Sequence, residues 1–94
     1  MIVVYGKDNC PACRQTTMLL DRKGIPYAYN KVVDAEGNPL GEACSQYLSY
    51  FRSKGYKQFP VVNVTYPDDS KDEWSGFRPD KLKRYVYSVL TSRE

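Results

Sequence analysis

Apolar residues along the chain change spacing several times, and each change marks an element. Ile2 to Tyr5 is a short apolar run of the kind a buried strand shows, and Gly6 to Asn9 reads as the turn after it. From Pro11 the period becomes helical: Cys13, Thr16, Thr17 and Leu20 fall at i, i+3, i+4 and i+7, one face turned toward a core. Pro11 suits the first turn of that helix, Arg22 and Lys23 suit its negative end, and Gly24 is placed to stop it. Tyr27 to Val33 holds tyrosines and valines without a breaker and predicts a second strand.

Asp34 to Asn38 is polar and reads as a loop, with Asn38-Pro39 as N-cap and first turn of a second helix. Leu40, Ala43, Cys44, Tyr47, Leu48 and Phe51 then share one helical face, and Gly55 closes the helix. Val61 to Val64 is a strand of the buried type. The turn-rich Tyr66 to Ser70 leads to Lys71 to Ser75, its expected antiparallel partner. Gly76 ends that strand and Pro79 opens a last helix with Leu82, Tyr85, Val86, Val89 and Leu90 as its apolar stripe. The order βαβαββα predicts an α/β fold, with one mixed four-stranded sheet and helices on both faces.

Composition narrows the class. Ninety-four residues, with 41% hydrophobic and 27% charged, fit a single domain spanning 1–94. The apolar run from Met1 to Tyr5 is too short for a signal-peptide core or a membrane span, so a cytoplasmic location without membrane attachment is expected. The +3 charge is dispersed over fourteen basic and eleven acidic residues, and the nine tyrosines do not interleave with a basic stripe, so no nucleic-acid partner is expected. The chain has no histidine, which removes Ser-His and Cys-His catalytic pairs and every His-containing metal site.

Chemistry therefore rests on the thiols. Cys10-Pro11-Ala12-Cys13 places two sulfurs where a strand hands over to a helix. At a helix N-terminus the unpaired N–H groups and the dipole favour an anion, hence thiolate. The spacing puts the second thiol one turn along, close enough to close a small disulfide ring. A zinc site is the competing reading, but it needs four ligands and only Cys44 remains, so no metal is expected. An iron–sulfur cluster has no positive support. Cys10, at the outer edge of the helix start, is the expected nucleophile, and Cys13 lies on the core-facing stripe. Lys7 either stabilises a Cys10 thiolate by charge or is a solvated lysine. Cys44, on the apolar face of the second helix, reads as a core cysteine.

Three stretches carry a resemblance: the CPxC pair after the first strand, Phe59-Pro60-Val61-Val62 before the third, and Trp74-Ser75-Gly76-Phe77-Arg78-Pro79-Asp80 before the last helix. The chain resembles a thioredoxin-superfamily protein of the small glutaredoxin-like form, and more narrowly the NrdH-redoxins, which carry electrons from thioredoxin reductase to a ribonucleotide reductase. That resemblance implies Cys10 as attacking thiol, Cys13 as resolving thiol, a redox-active Cys10–Cys13 disulfide and no bound cofactor. It also implies a cis Pro60, whose backbone neighbours Phe59 and Val61, with Pro11 and Ala12, would offer an extended partner a docking edge.

Trp74, Ser75, Gly76, Phe77 and Arg78 are the further partner-binding candidates. Trp74 reads equally as core, Phe77 is expected to be exposed, Arg78 either meets a partner carboxylate or is solvated, and Asp80 supports the helix start. The segments 34–55 and 65–72 look longer than in compact relatives and read as surface insertions.

The function so implied is that of a monomeric dithiol–disulfide oxidoreductase passing two electrons from thioredoxin reductase to ribonucleotide reductase. Glutathione is the alternative reductant. The glutathione-binding glutaredoxins usually show a Gly-Gly turn followed by acidic residues, whereas Ser75-Gly76 is followed here by Phe77, Arg78 and Pro79. From another class comes a redox-independent protein-binding module.

Overall fold

A computed structural model describes residues 1–92. The elements are β1 (Ile2–Lys7), α1 (Pro11–Arg22), β2 (Ala28–Val33), α2 (Glu42–Ser53), β3 (Val61–Thr65), β4 (Lys71–Ser75) and α3 (Pro79–Ser92). They form one sheet of order β2-β1-β3-β4, in which β1 runs parallel to β2 and antiparallel to β3, and β3 pairs antiparallel with β4. The α/β class and the βαβαββα order hold.

Strand alternation sorts the side chains onto two faces. Ile2 and Val4 of β1, Val62 and Val64 of β3 and Trp74 of β4 join Leu20 of α1 and Leu82, Tyr85 and Val86 of α3 in the main core. Val32, Val33 and Val61 form a second cluster with Phe51 of α2; the consecutive valines both join it where the β1–β2 register shifts and skips Val32, between Gly6↔Lys31 and Lys7↔Val33. The polar Thr16 is fully buried because its hydroxyl donates to the Ala12 carbonyl at 2.8 Å, one turn back.

Several boundaries differ from expectation. β1 continues to Lys7 instead of turning at Gly6, because its pairing with β2 runs through Gly6↔Lys31. A Cβ at Gly6 would run into the Tyr29 ring, so a glycine lets that tyrosine lie across the strand. β2 starts at Ala28, not Tyr27.

Asn38-Pro39 does not open a helix. Asp34 Oδ1 accepts from the amides of Glu36 and Asn38 at 3.0 and 2.9 Å, and Pro39 forms an antiparallel bridge to Val33. The chain stays extended there, and α2 begins only after Gly41, whose φ of 136° is open to glycine.

The apolar face expected for α2 is accordingly shallow. Phe51 is buried and Leu48 half-buried, while Leu40, Ala43 and Tyr47 are exposed. Cys44 is half-buried against the second cluster rather than a core residue, and it is a free thiol. A polar tie compensates for the thin apolar contact: Tyr50 and Tyr56 both donate to Glu73 Oε1 at 3.0 Å, and Asn63 donates to Oε2 at 3.0 Å. Burial and the adjoining Glu73 carboxylate push the Tyr56 phenol up to about 12. In α3 the stripe stops short, with Leu82, Tyr85 and Val86 buried, Val89 half-buried and Leu90 exposed.

The two ends of that stripe should respond differently to truncation. Leu82→Ala is expected to lower unfolding free energy by about 2–5 kcal/mol. Leu90→Ala should change it by less than about 0.5 kcal/mol. Urea titration followed by far-UV circular dichroism reads both, and equal losses would contradict this packing.

Candidate active site

β1 is the inner strand that delivers the dithiol. It ends at Lys7, and Asn9 turns the chain with φ +54°, a left-handed conformation that Asn tolerates better than most residues. Cys10 follows as the N-cap of α1, with φ −120° and ψ 98°, and Pro11 occupies the first turn. Cys10 Sγ takes the place of a capping oxygen, accepting from the Cys13 amide at 3.2 Å. Cys10 and Cys13 are joined as a disulfide with Cα atoms 5.3 Å apart. Both residues are buried, Cys10 at 8% exposure and Cys13 at 3%, so Cys10 is the less buried of the two.

A second segment closes over the pair. The Phe59-Pro60 peptide is cis, and the Phe59 carbonyl oxygen lies 3.7 Å from Cys10 Sγ. This segment is fastened to the end of β4. Ser75 Oγ donates to the Gln58 carbonyl at 2.6 Å and accepts from the Gln58 amide at 3.2 Å, while the Gly76 amide donates to the Pro60 carbonyl at 2.7 Å. Gly76 has φ +88° and its α-carbon faces the Gln58 side-chain amide, so both backbone and space favour glycine there.

Two grooves flank the disulfide. One, of about 340 Å³, lies between α1 and β2 and is lined by Cys13, Arg14, Thr17, Tyr29 and Asp8. The other, of about 430 Å³, is lined by Pro11, Ala12, Lys57, Gln58 and Phe59. Lys7, Asn9 and Cys10 form a wall of both. A larger apolar groove of about 640 Å³ opens beside Met1, Tyr66 and Tyr85, at the opposite end of β1 from the sulfurs.

The candidates thus divide. Lys7, Pro11, Ala12, Phe59 and Cys10 come together, with Lys7 Nζ 5.9 Å from the Phe59 ring centroid. Pro60 and Val61 are buried beneath them. Ser75 and Gly76 act through the Gln58–Pro60 segment. Trp74 is corrected: at 3% exposure it belongs to the main core, because it alternates inward with Val62 opposite it, and Lys81 Nζ sits 5.5 Å from its ring centroid. Phe77 is likewise not an exposed loop aromatic but half-buried against the main core. Arg78 is exposed and forked onto Asp80, Nε to Oδ1 at 3.2 Å and Nη2 to Oδ2 at 3.0 Å, so Asp80 serves that pair as well as the helix start.

Sequence reasoning missed Asn9, Arg14, Tyr29, Lys57 and Gln58 as groove residues. Asn9, Arg14 and Gln58 were within reach, each adjoining a residue already singled out. Tyr29 depends on strand register and had no local signal.

A Cys-x-x-Cys disulfide at the first turn of the helix after β1, faced by a cis-proline segment, on a four-stranded mixed sheet with helices on both faces, defines a thiol–disulfide oxidoreductase of thioredoxin-like fold. The glutaredoxin family model matches residues 2–66, from β1 through β3, and the chain belongs to the glutaredoxin family. Within it, the chain is 28% identical over 83 residues to the glutaredoxin-like protein NrdH of Salmonella typhimurium, covering 88% of this chain and 85% of that one. The NrdH protein of Escherichia coli K12 matches to the same extent. Among solved structures, NrdH-redoxin from Escherichia coli superposes with a TM-score of 0.67 at 25% identity, over 88% of this chain and 91% of that one. A glutaredoxin from Archaeoglobus fulgidus shares the fold, with a TM-score of 0.66 at 24% identity over 90% of this chain and 84% of that one.

Ser75 offers a test of the fastening. Ser75→Ala removes the donor to the Gln58 carbonyl and should cost about 1 kcal/mol of stability. It should also speed hydrogen exchange at the Gly76 amide, read by two-dimensional NMR. Unchanged exchange at Gly76 would mean that the segment is held without Ser75.

Proposed function

We propose that this chain is a dithiol electron carrier in which Cys10 attacks and Cys13 resolves, reduced by thioredoxin reductase and delivering to ribonucleotide reductase. In the reduced form the Cys10 thiolate, favoured by the Cys13 amide and the start of α1, displaces one sulfur of a partner disulfide. That sulfur leaves as thiolate and takes up a proton, and Cys10 is left in a mixed disulfide. The Cys13 thiol loses its proton and attacks Cys10, freeing the second partner thiol and closing the Cys10–Cys13 bond. Two electrons have passed to the partner, and the reductase returns them from NADPH. The greater burial of Cys13 suits this order, because the sulfur that meets a partner first must be the less buried one. The Phe59 carbonyl beside Cys10 gives an extended partner a backbone acceptor at the reacting sulfur.

The observation that carries the choice of reductant is the turn after β4. Phe77 packs on the core and Arg78 is forked onto Asp80, so no free acidic pair follows the glycine where the glutathione-binding glutaredoxins usually present one. The NrdH-redoxin it resembles is described by a thioredoxin-like activity profile, which supports the same reading. The three helices are 12, 12 and 14 residues, and no helix among the described residues is long and apolar enough to cross a membrane. A carrier working in the cytoplasm accords with this.

The test offers the oxidised protein first NADPH with thioredoxin reductase, then glutathione with NADPH and glutathione reductase, following absorbance at 340 nm. Rapid NADPH consumption is expected in the first arm only, and reduction by glutathione alone would defeat the choice of donor. Cys13→Ser should accumulate a mixed disulfide through Cys10, and Cys10→Ser should abolish turnover. An intact function in Cys10→Ser would indicate a binding module instead.

A further inference from the structure

The two grooves beside the disulfide share the wall formed by Lys7, Asn9 and Cys10, so they meet across Cys10 as one track. Its cations are spread along it: Lys57 in one groove, Lys7 on the shared wall and Arg14 in the other. Among the described residues none of the three enters an ion pair. The one carboxylate in the lining is Asp8, and its Oδ2 is already 3.3 Å from Lys31 Nζ of β2. Outside the lining, Asp21 borders the Arg14 groove, its Oδ2 accepting from the hydroxyl of lining Tyr27 at 3.3 Å, and Asp34 in the loop near Lys7 already accepts from the Glu36 and Asn38 amides. Asp68 and Asp69 sit in the β3–β4 turn, Asp72 pairs with Lys81, and Glu73 is held by Tyr50, Tyr56 and Asn63. The dithiol end is thus cationic on both sides of Cys10, although the chain as a whole carries only +3.

We propose that the track accepts an extended, disulfide-bearing protein segment whose residues on both sides of the reacting cysteine are acidic. The inference rests on the reading of Cys10 as the attacking sulfur, since only then does a bound segment cross both grooves during the reaction. Lys57 and Arg14 face opposite flanks of the segment, and Lys7 faces the residue nearest the reacting sulfur. Because these cations are solvent-exposed or rim-placed, their effect falls mainly on encounter rate and partner choice and weakens as salt screens them.

Three synthetic peptides, each closed by one internal disulfide and flanked on both sides by glutamates, glutamines or lysines, are offered to the fully reduced protein at low ionic strength. Second-order rates of peptide reduction are measured by chromatography after acid quench. The glutamate peptide is expected to react about tenfold faster than the glutamine peptide, and the lysine peptide slower than either. That ratio should fall toward one as salt is raised to about 1 M, where the screening length is about 3 Å. The double variant Arg14→Gln with Lys57→Gln should lower the glutamate-to-glutamine ratio, whereas Lys83→Gln on exposed α3 should leave it unchanged.

A ratio of one or less at low salt, a ratio insensitive to the double variant, or failure to reduce any peptide while 2-hydroxyethyl disulfide is reduced would each overturn the acidic track. Failure to reduce 2-hydroxyethyl disulfide as well would overturn the redox reading on which it rests. The two failures are therefore distinguishable.

Discussion

The hydrogen bond from the Cys13 amide to Cys10 Sγ joins the fold to its chemistry. A helix start leaves amide groups without intrahelical partners, and here a sulfur answers one of them where an oxygen ordinarily would. Cys10, at the helix start, is the less buried of the pair, and Cys13 lies along the face that carries Thr16 and Leu20 into the core. Everything else in the structure either places this helix start or limits what approaches it. β1, hydrogen-bonded on both sides, fixes where the chain leaves the sheet, and Asn9 turns it into α1.

The approach is limited by the Gln58–Pro60 segment. It belongs to no strand, yet its backbone is pinned from both Ser75 and Gly76, so the end of β4 governs the wall facing Cys10. This gives the stretch from Trp74 to Asp80 a role inside the molecule as well as any outside it. Trp74 anchors β4 in the core, Ser75 and Gly76 hold the segment opposite the sulfurs, Phe77 covers the core edge, and Arg78 is forked onto Asp80 at the opening of α3. A motif that resembles a docking patch in sequence is, for the most part, the frame of the site.

The legible parts of the chain were those where one local signal had no rival. The CxxC position, the Cys13, Thr16 and Leu20 positions of the α1 face and the β3–β4 hairpin follow from period, proline and turn residues alone, whereas Thr17, expected on that face, is half-buried and lines a groove instead. Asn38-Pro39 misled because a capping residue before proline also suits an extended bridge, and Asp34 had already committed the loop to its own amide bonds. Tyr47 and Leu90 have helical spacing but stay exposed: Tyr47 sets its ring against Tyr5 of β1, centroids 5.0 Å apart, and leaves the rest of the side chain in solvent, while Leu90 follows the last buried turn of α3. Trp74 was ambiguous from its neighbours and was decided by register, through its pairing with Val62. The grooves were least legible, since Tyr29 and Lys57 come from separate stretches and meet Cys10 only after folding, although Arg14 lies one turn along α1 from it.

The central claim is that Cys10, as the helix-capping sulfur, is the thiolate that reacts first. Brief alkylation of the fully reduced native protein with limiting iodoacetamide near neutral pH, quenched and mapped by mass spectrometry, tests it directly. The account predicts that Cys10 is labelled about tenfold or more ahead of Cys13 and Cys44, as expected for the less buried thiol of the pair at a helix start. Labelling of Cys13 or Cys44 first, or of all three at equal rates, would contradict it.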